Sequence, residues 1–140
     1  MKYIGIWIDK EKAHVITLKE GGEDMITIMS EIENFRIHGG SGTKVKGGPQ
    51  DVVQDSKFLE REKHQFKAYF KRVIAYVKEA DKIIIYGPAE TPEKFNKELI
   101  ENYKEIGKKV QDVLKADSMT DNQTKALVRT YFKKYQQHTL

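Results

Sequence analysis

The chain has 140 residues, a formal net charge of +4 and no cysteine. This length suits a domain that buries its own core, so we expect a single domain over residues 1–140. Without cysteine the chain can form neither a disulfide framework nor a thiolate zinc site, and it has no thiol nucleophile. Charged residues make up 33% of the chain, and no apolar run reaches about 18 residues. This composition predicts a soluble, cytoplasmic protein with no membrane partner.

The first part of the chain predicts three strands. The stretches at 3–8, 13–18 and 25–32 are rich in apolar and β-branched residues, and the later two alternate between apolar and polar positions. A polar turn at 9–12 and the pair Gly21-Gly22 separate them. Strands with such short connections typically form an antiparallel meander.

After a glycine-rich segment, the chain predicts helices alternating with strands. Apolar residues at spacings of three and four predict a long helix over about 55–79. Thr91 followed by Pro92 predicts the N-cap of a second helix, and Thr120-x-x-Gln123 is typical of the capping box of a third. Apolar runs at 82–87 and 109–114 predict the two remaining strands.

This order of elements predicts an α/β fold. We expect a mixed five-stranded sheet, an antiparallel meander followed by βαβ-type units, with three helices on its faces. Ribonuclease-H-like folds and their relatives in the translation machinery have this arrangement.

Residues 33–55 lose the periodicity and hold five of the ten glycines. We expect a flexible loop here, because glycine lets the backbone approach a phosphate closely and long irregular connections are often functional. Its basic side chains and its glycine pair are the predicted RNA contacts: Arg36, His38, Lys44, Lys46, Gly47 and Gly48. The alternative is a disordered insertion without a binding role.

The helix that follows the loop concentrates the positive charge. Residues 57–80 hold seven Lys or Arg against three acidic residues. Arg61, Lys67, Lys71 and Arg72 lie on the side opposite the apolar stripe, where they could contact phosphates. The alternative is a solvated helix face that only maintains solubility.

These elements resemble a known family. The meander, the basic loop with Gly47-Gly48, the long basic helix and the strand ending in Gly87 resemble the central domain of archaeal and eukaryotic class-one peptide-chain release factors. Pelota and the bacterial relatives of these factors share the resemblance, which covers roughly residues 3–135. It implies a partner that is the ribosome, ribosomal RNA or tRNA.

The loop departs from the family at one position. In release factors it carries Gly-Gly-Gln, whose Gln helps water attack the peptidyl-tRNA ester. Here Pro49 follows the glycine pair, and Gln50 comes one residue late. Proline fixes φ and removes a backbone N–H. The resemblance therefore implies the fold and an RNA-associated role more strongly than hydrolysis, with Gln50 as the one catalytic candidate.

Two other classes of function stay open. A metal-dependent nuclease needs converging carboxylates, for which the candidates are Asp9, Glu60 or Glu62, Glu90, and Asp117 or Asp121. A homo-oligomeric or interaction domain without RNA binding could hold a small ligand at the turn formed by Gly87, Glu90 and Thr91, because a helix N-terminus attracts anions. The four histidines are scattered without ligand spacing, so we predict no metal and no cofactor.

Overall fold

The computed structural model describes residues 1–32 and 48–138, with side chains over 1–32 and 59–133. The strands are β1 (Tyr3–Ile8), β2 (Lys12–Lys19), β3 (Gly22–Met29), β4 (Lys82–Gly87) and β5 (Val110–Lys115). The helices are α1 (Gly48–Ile74), α2 (Thr91–Asn102), α3 (Lys104–Gly107) and α4 (Asp121–His138). None of these helices is both long and apolar enough to span a bilayer.

The five strands form one mixed sheet in the order β3-β2-β1-β4-β5. The first three are antiparallel neighbours, with Ile6 opposite Val15 and Val15 opposite Ile26. Strands β1, β4 and β5 run parallel. The predicted α/β fold and mixed five-stranded sheet are therefore confirmed.

Helices cover both faces of the sheet, which explains why every residue of β1 is buried. On one face Ile4, Ile6 and Ile8 pack in a core with residues of α1 and α2. On the other face Tyr3 and Trp7 pack against Val128 and Phe132 of α4. Burying such side chains on both sides of a strand is the main favourable term in forming this core.

Large aromatic residues of the sheet lie inside the protein. Tyr3, Trp7 and Tyr86 are 6%, 1% and 5% exposed, so they belong to the core and form no aromatic surface for self-association.

Helix α1 differs from its predicted bounds at both ends. It begins at Gly48, so residues 48–55 are helical and not part of a loop. Pro49 accounts for the early start, because proline is favoured in the first turn, where its missing N–H breaks no helical hydrogen bond. The helix ends at Ile74 instead of Glu79, because the amides of Tyr76 and Val77 bond to carbonyls three residues back and not four.

The other helices differ from the prediction in smaller ways. The N-cap of α2 is Glu90, so Thr91 is the first helical residue and not the cap. The short α3 is a fourth helix that the periodicity missed, and it brings Ile106 into the core. The capping box before α4 is confirmed: the Gln123 amide donates to Thr120 Oγ1, and the Thr120 amide donates to Gln123 Oε1.

Candidate nucleic-acid interface

Helix α1 rests on the sheet through an aromatic stripe. Phe66, Tyr69, Phe70 and Val73 are buried, and the rings of Phe66 and Phe70 lie 5.4 Å apart. The Tyr69 hydroxyl donates to the carbonyl of Asp9 at 3.0 Å. Burial raises the pKa of this hydroxyl well above its usual range, so it stays protonated as a donor. The stripe fixes which side of α1 faces water.

The exposed side of α1 carries a row of three lysines. Lys63, Lys67 and Lys71 are exposed and recur every four residues, which places them along one side of the helix. None of the three has an ion-pair partner among the side chains that the structure describes. We call Lys63, Lys67 and Lys71 the lysine row. It presents positive charge to solvent, and none of its ammonium groups is held in an ion pair by a described carboxylate.

The two arginines of the predicted interface differ from the lysines. Arg72 Nη2 donates to the carbonyl oxygens of Met29 and Ser30, at 2.7 and 3.1 Å, and so ties α1 to the end of β3. Arg61 is exposed but already has an interaction partner. The structure therefore separates Arg72 from Lys71, its neighbour in sequence, because successive helical residues point about 100° apart.

A groove of about 380 Å³ lies between α1 and α2. Helix α1 contributes Lys67, Ala68 and Lys71, and the α2 side contributes Glu98, Asn102 and Tyr103. The two helices meet beside it, where the rings of Phe70 and Phe95 are 5.2 Å apart. We call this space the α1–α2 groove. Two members of the lysine row form one of its walls.

A second cleft, of about 480 Å³, lies at the carboxyl ends of β1 and β4. It contains the predicted ligand residues Glu90 and Thr91, together with Asp9 and Glu11. Its two lysines are engaged: Lys10 pairs with Glu62 at 2.7 Å, and Lys94 Nζ lies 4.9 Å from the centre of the Phe66 ring. The cleft thus has three carboxylates, and both of its lysines already interact with other groups. This balance of charge is unfavourable for binding an anion.

Gly87 has a packing role beside that cleft. A Cβ at this position would meet the backbone carbonyl of Ile8 and the ring of Pro92. The absent side chain thus lets β4 and the start of α2 approach the end of β1. The backbone geometry itself explains this glycine without a ligand.

Of the carboxylates considered for a nuclease, Asp9 and Glu90 both line this cleft, but no third candidate completes a metal site with them within the described side chains. Asp9 Oδ1 accepts from the amides of Glu11 and Lys12, both at 2.8 Å, and so stabilises the turn after β1. Asp121 lies on the other face of the sheet, beside Trp7 and His14. Within 1–32 and 59–133 no group of three or more acidic or histidine side chains could hold a metal ion.

His14 faces α4 and not the candidate interface. Its Nδ1 lies 2.8 Å from Thr27 Oγ1, and burial lowers its pKa below the usual value despite the nearby Asp121 carboxylate. A lowered pKa leaves this imidazole neutral near pH 7.

The residues predicted from the glycine-rich loop divide into those that the structure describes and those that it does not. Arg36, His38, Lys44, Lys46 and Gly47 lie outside the described residues. Gly48 begins α1, and Gln50 lies in its first turn with a helical backbone. The structure therefore leaves Gln50 as an untested catalytic candidate.

Three solved structures share the arrangement of these elements. Pelota from Archaeoglobus fulgidus matches with a TM-score of 0.54 and 15% identity, over 86% of this chain and 28% of that one. Pelota from Thermoplasma acidophilum matches with a TM-score of 0.54 and 16% identity, over 94% of this chain and 31% of that one. An archaeal translation termination factor matches with a TM-score of 0.54 and 12% identity, over 86% of this chain and 31% of that one. The fold is release-factor-like.

The likeness has a limited extent. This chain spans less than a third of the length of each of these three proteins. No protein-family model and no curated protein matches the sequence. The likeness to these proteins thus concerns the fold alone.

Sequence reasoning missed part of this surface. It did not single out Lys63, although the spacing to Lys67 and Lys71 was visible in the sequence. It also did not predict that Glu98, Asn102 and Tyr103 face α1, because they lie about 30 residues further along the chain. Only the packing of α2 beside α1 brings the two sets together.

Proposed function

We propose that this domain binds the ribosome, ribosomal RNA or tRNA through the exposed side of α1, and that it acts by binding and not by catalysis. The observation that carries the proposal is the lysine row. Three ammonium groups on one helix side, without acidic partners among the described side chains, suit a surface that contacts phosphates. Such contacts position a protein on RNA without reading its sequence.

The fold supports the choice of partner. One of the proteins that share the release-factor-like fold is a translation termination factor. A basic surface on that scaffold favours an RNA of the translation machinery over another polyanion.

The test is replacement of the lysine row by glutamine, as Lys63→Gln, Lys67→Gln and Lys71→Gln together. We expect ribosome affinity in co-sedimentation to fall roughly a hundredfold at 0.1 M salt, because each phosphate contact contributes through counterion release. All three side chains are exposed and glutamine is a good helix former, so the fold should persist. Circular dichroism verifies that it does.

The matched control removes three other exposed helical lysines, as Lys97→Gln, Lys104→Gln and Lys133→Gln. It lowers the net charge by the same amount away from the lysine row. We expect it to keep affinity within about threefold of the wild type, since screening limits long-range effects. Equal losses in the two variants would refute the assignment of the contact to α1.

A further inference from the structure

The α1–α2 groove has two walls of different chemistry. The α1 wall is cationic, with Lys67 and Lys71 beside the small side chain of Ala68. The α2 wall offers a carboxylate, an amide and an aromatic ring, from Glu98, Asn102 and Tyr103. A nucleotide has the same division, with an anionic phosphate at one end and a polar, aromatic base at the other.

We propose that this groove binds a nucleotide of single-stranded RNA, with its phosphate on the α1 wall and its base on the α2 wall. The inference rests on the proposed function, because it uses two residues of the lysine row. It adds a subsite and a preference among bases. The volume of about 380 Å³ lies within the range of small-ligand sites.

The α1 wall suits the backbone of the strand. Lys67 and Lys71 are one helical turn apart, so their Cβ atoms lie about 5–6 Å from each other. Two flexible ammonium groups at this spacing can contact one phosphate or its neighbour. Ala68 is exposed beside them, and its small side chain leaves room for the sugar-phosphate chain to approach the helix.

The α2 wall suits a base. Tyr103 is half-buried, and its hydroxyl has no hydrogen-bond partner within the described part of the chain. Its ring packs against the core and also lines the groove, where a base can stack on the ring face. Asn102 is exposed beside it, with a donor and an acceptor for a base edge.

Glu98 determines which bases fit. It is half-buried and has no ion-pair partner among the described residues, since Lys94, one turn earlier, lies over the Phe66 ring. A carboxylate repels phosphate and accepts a hydrogen bond from an exocyclic amino group, as carboxylates do from cytosine N4. Cytosine has this group and uracil lacks it. The groove should therefore prefer cytosine to uracil.

The experiment measures fluorescence anisotropy with ten-nucleotide oligo(C) and oligo(U) RNA at 0.1 M salt. We expect the wild type to bind oligo(C) about five- to tenfold more tightly than oligo(U). Glu98→Ala should make the two affinities equal, and Tyr103→Ala should weaken both by about fivefold or more through lost stacking. Glu101→Ala, which removes an exposed carboxylate outside the groove, should keep the preference for oligo(C).

The outcomes separate this inference from the proposed function. A wild type that binds neither oligonucleotide, or binds both equally, would overturn the groove assignment. So would a preference for oligo(C) that survives Glu98→Ala. In each of those cases, a loss of ribosome affinity on removal of the lysine row would still support the proposed function. If that loss is also absent, both proposals fail.

Discussion

Replacing Trp7 by alanine is expected to lower the free energy of unfolding by about 3–5 kcal/mol. Trp7 is 1% exposed near the end of β1, and its ring packs in the core between the sheet and α4. Its Nε1 also donates to the carbonyl of Ala116 at 3.0 Å, which anchors the segment leading into α4. The substitution leaves a large cavity and an unpaired carbonyl near it.

Urea denaturation followed by far-ultraviolet circular dichroism measures this loss. Trp7→Phe is the matched control, because it keeps an aromatic ring but removes the donor. We expect it to lower the free energy of unfolding by about 1–2 kcal/mol, because it loses the hydrogen bond and part of the buried volume. A Trp7→Ala variant within about 1 kcal/mol of the wild type would contradict the packing of α4 on this face.

Replacing Gly87 by valine is also expected to destabilise the fold strongly. We expect the free energy of unfolding to fall by about 3 kcal/mol. A Cβ there would meet the backbone carbonyl of Ile8, which cannot rotate away as a side-chain tip can. The Pro92 ring lies 3.1 Å from the same Cβ position. Relief therefore requires β4 and α2 to shift relative to β1.

Gly22→Ala is the control for Gly87→Val, since a Cβ at Gly22 meets nothing within 4 Å. We expect it to change stability by less than about 0.5 kcal/mol. The same denaturation assay compares the two variants. If Gly87→Val proves as stable as Gly22→Ala, the close approach of β4 to the end of β1 is incorrect.

Most of the fold could be predicted because local signals agreed with the tertiary structure. The alternation in the second and third strands and the apolar run of β4 are direct consequences of burial on one or both faces. The capping box at Thr120 and Gln123 likewise depends on four adjacent residues alone. Such elements need no information from distant parts of the chain.

The start of α1 and the short α3 were not predicted, because the local signals there fit more than one structure or were too short to read. Gly47, Gly48 and Pro49 are typical loop residues, so the composition pointed to a loop where α1 begins. Proline is also favoured in a first helical turn, and the sequence alone does not decide between the two roles. The short α3 has too few residues for a periodic pattern to identify it.

The interface could be predicted only in part. The basic character of α1 is visible in the sequence, and Lys67 and Lys71 are exposed as expected. That Arg72 instead bonds to carbonyls at the end of β3, more than 40 residues away, depends on where the helix lies on the sheet. The α2 wall of the groove likewise depends on helix packing.

The salt dependence of ribosome co-sedimentation tests the central claim most directly. The wild type and the lysine-row variant are compared between about 50 and 200 mM salt. If the row contacts phosphates, the slope of log affinity against log salt should be steeper for the wild type by about 2 to 3. Equal slopes, or a wild type that does not sediment with ribosomes even at the lowest salt, would contradict phosphate binding by α1.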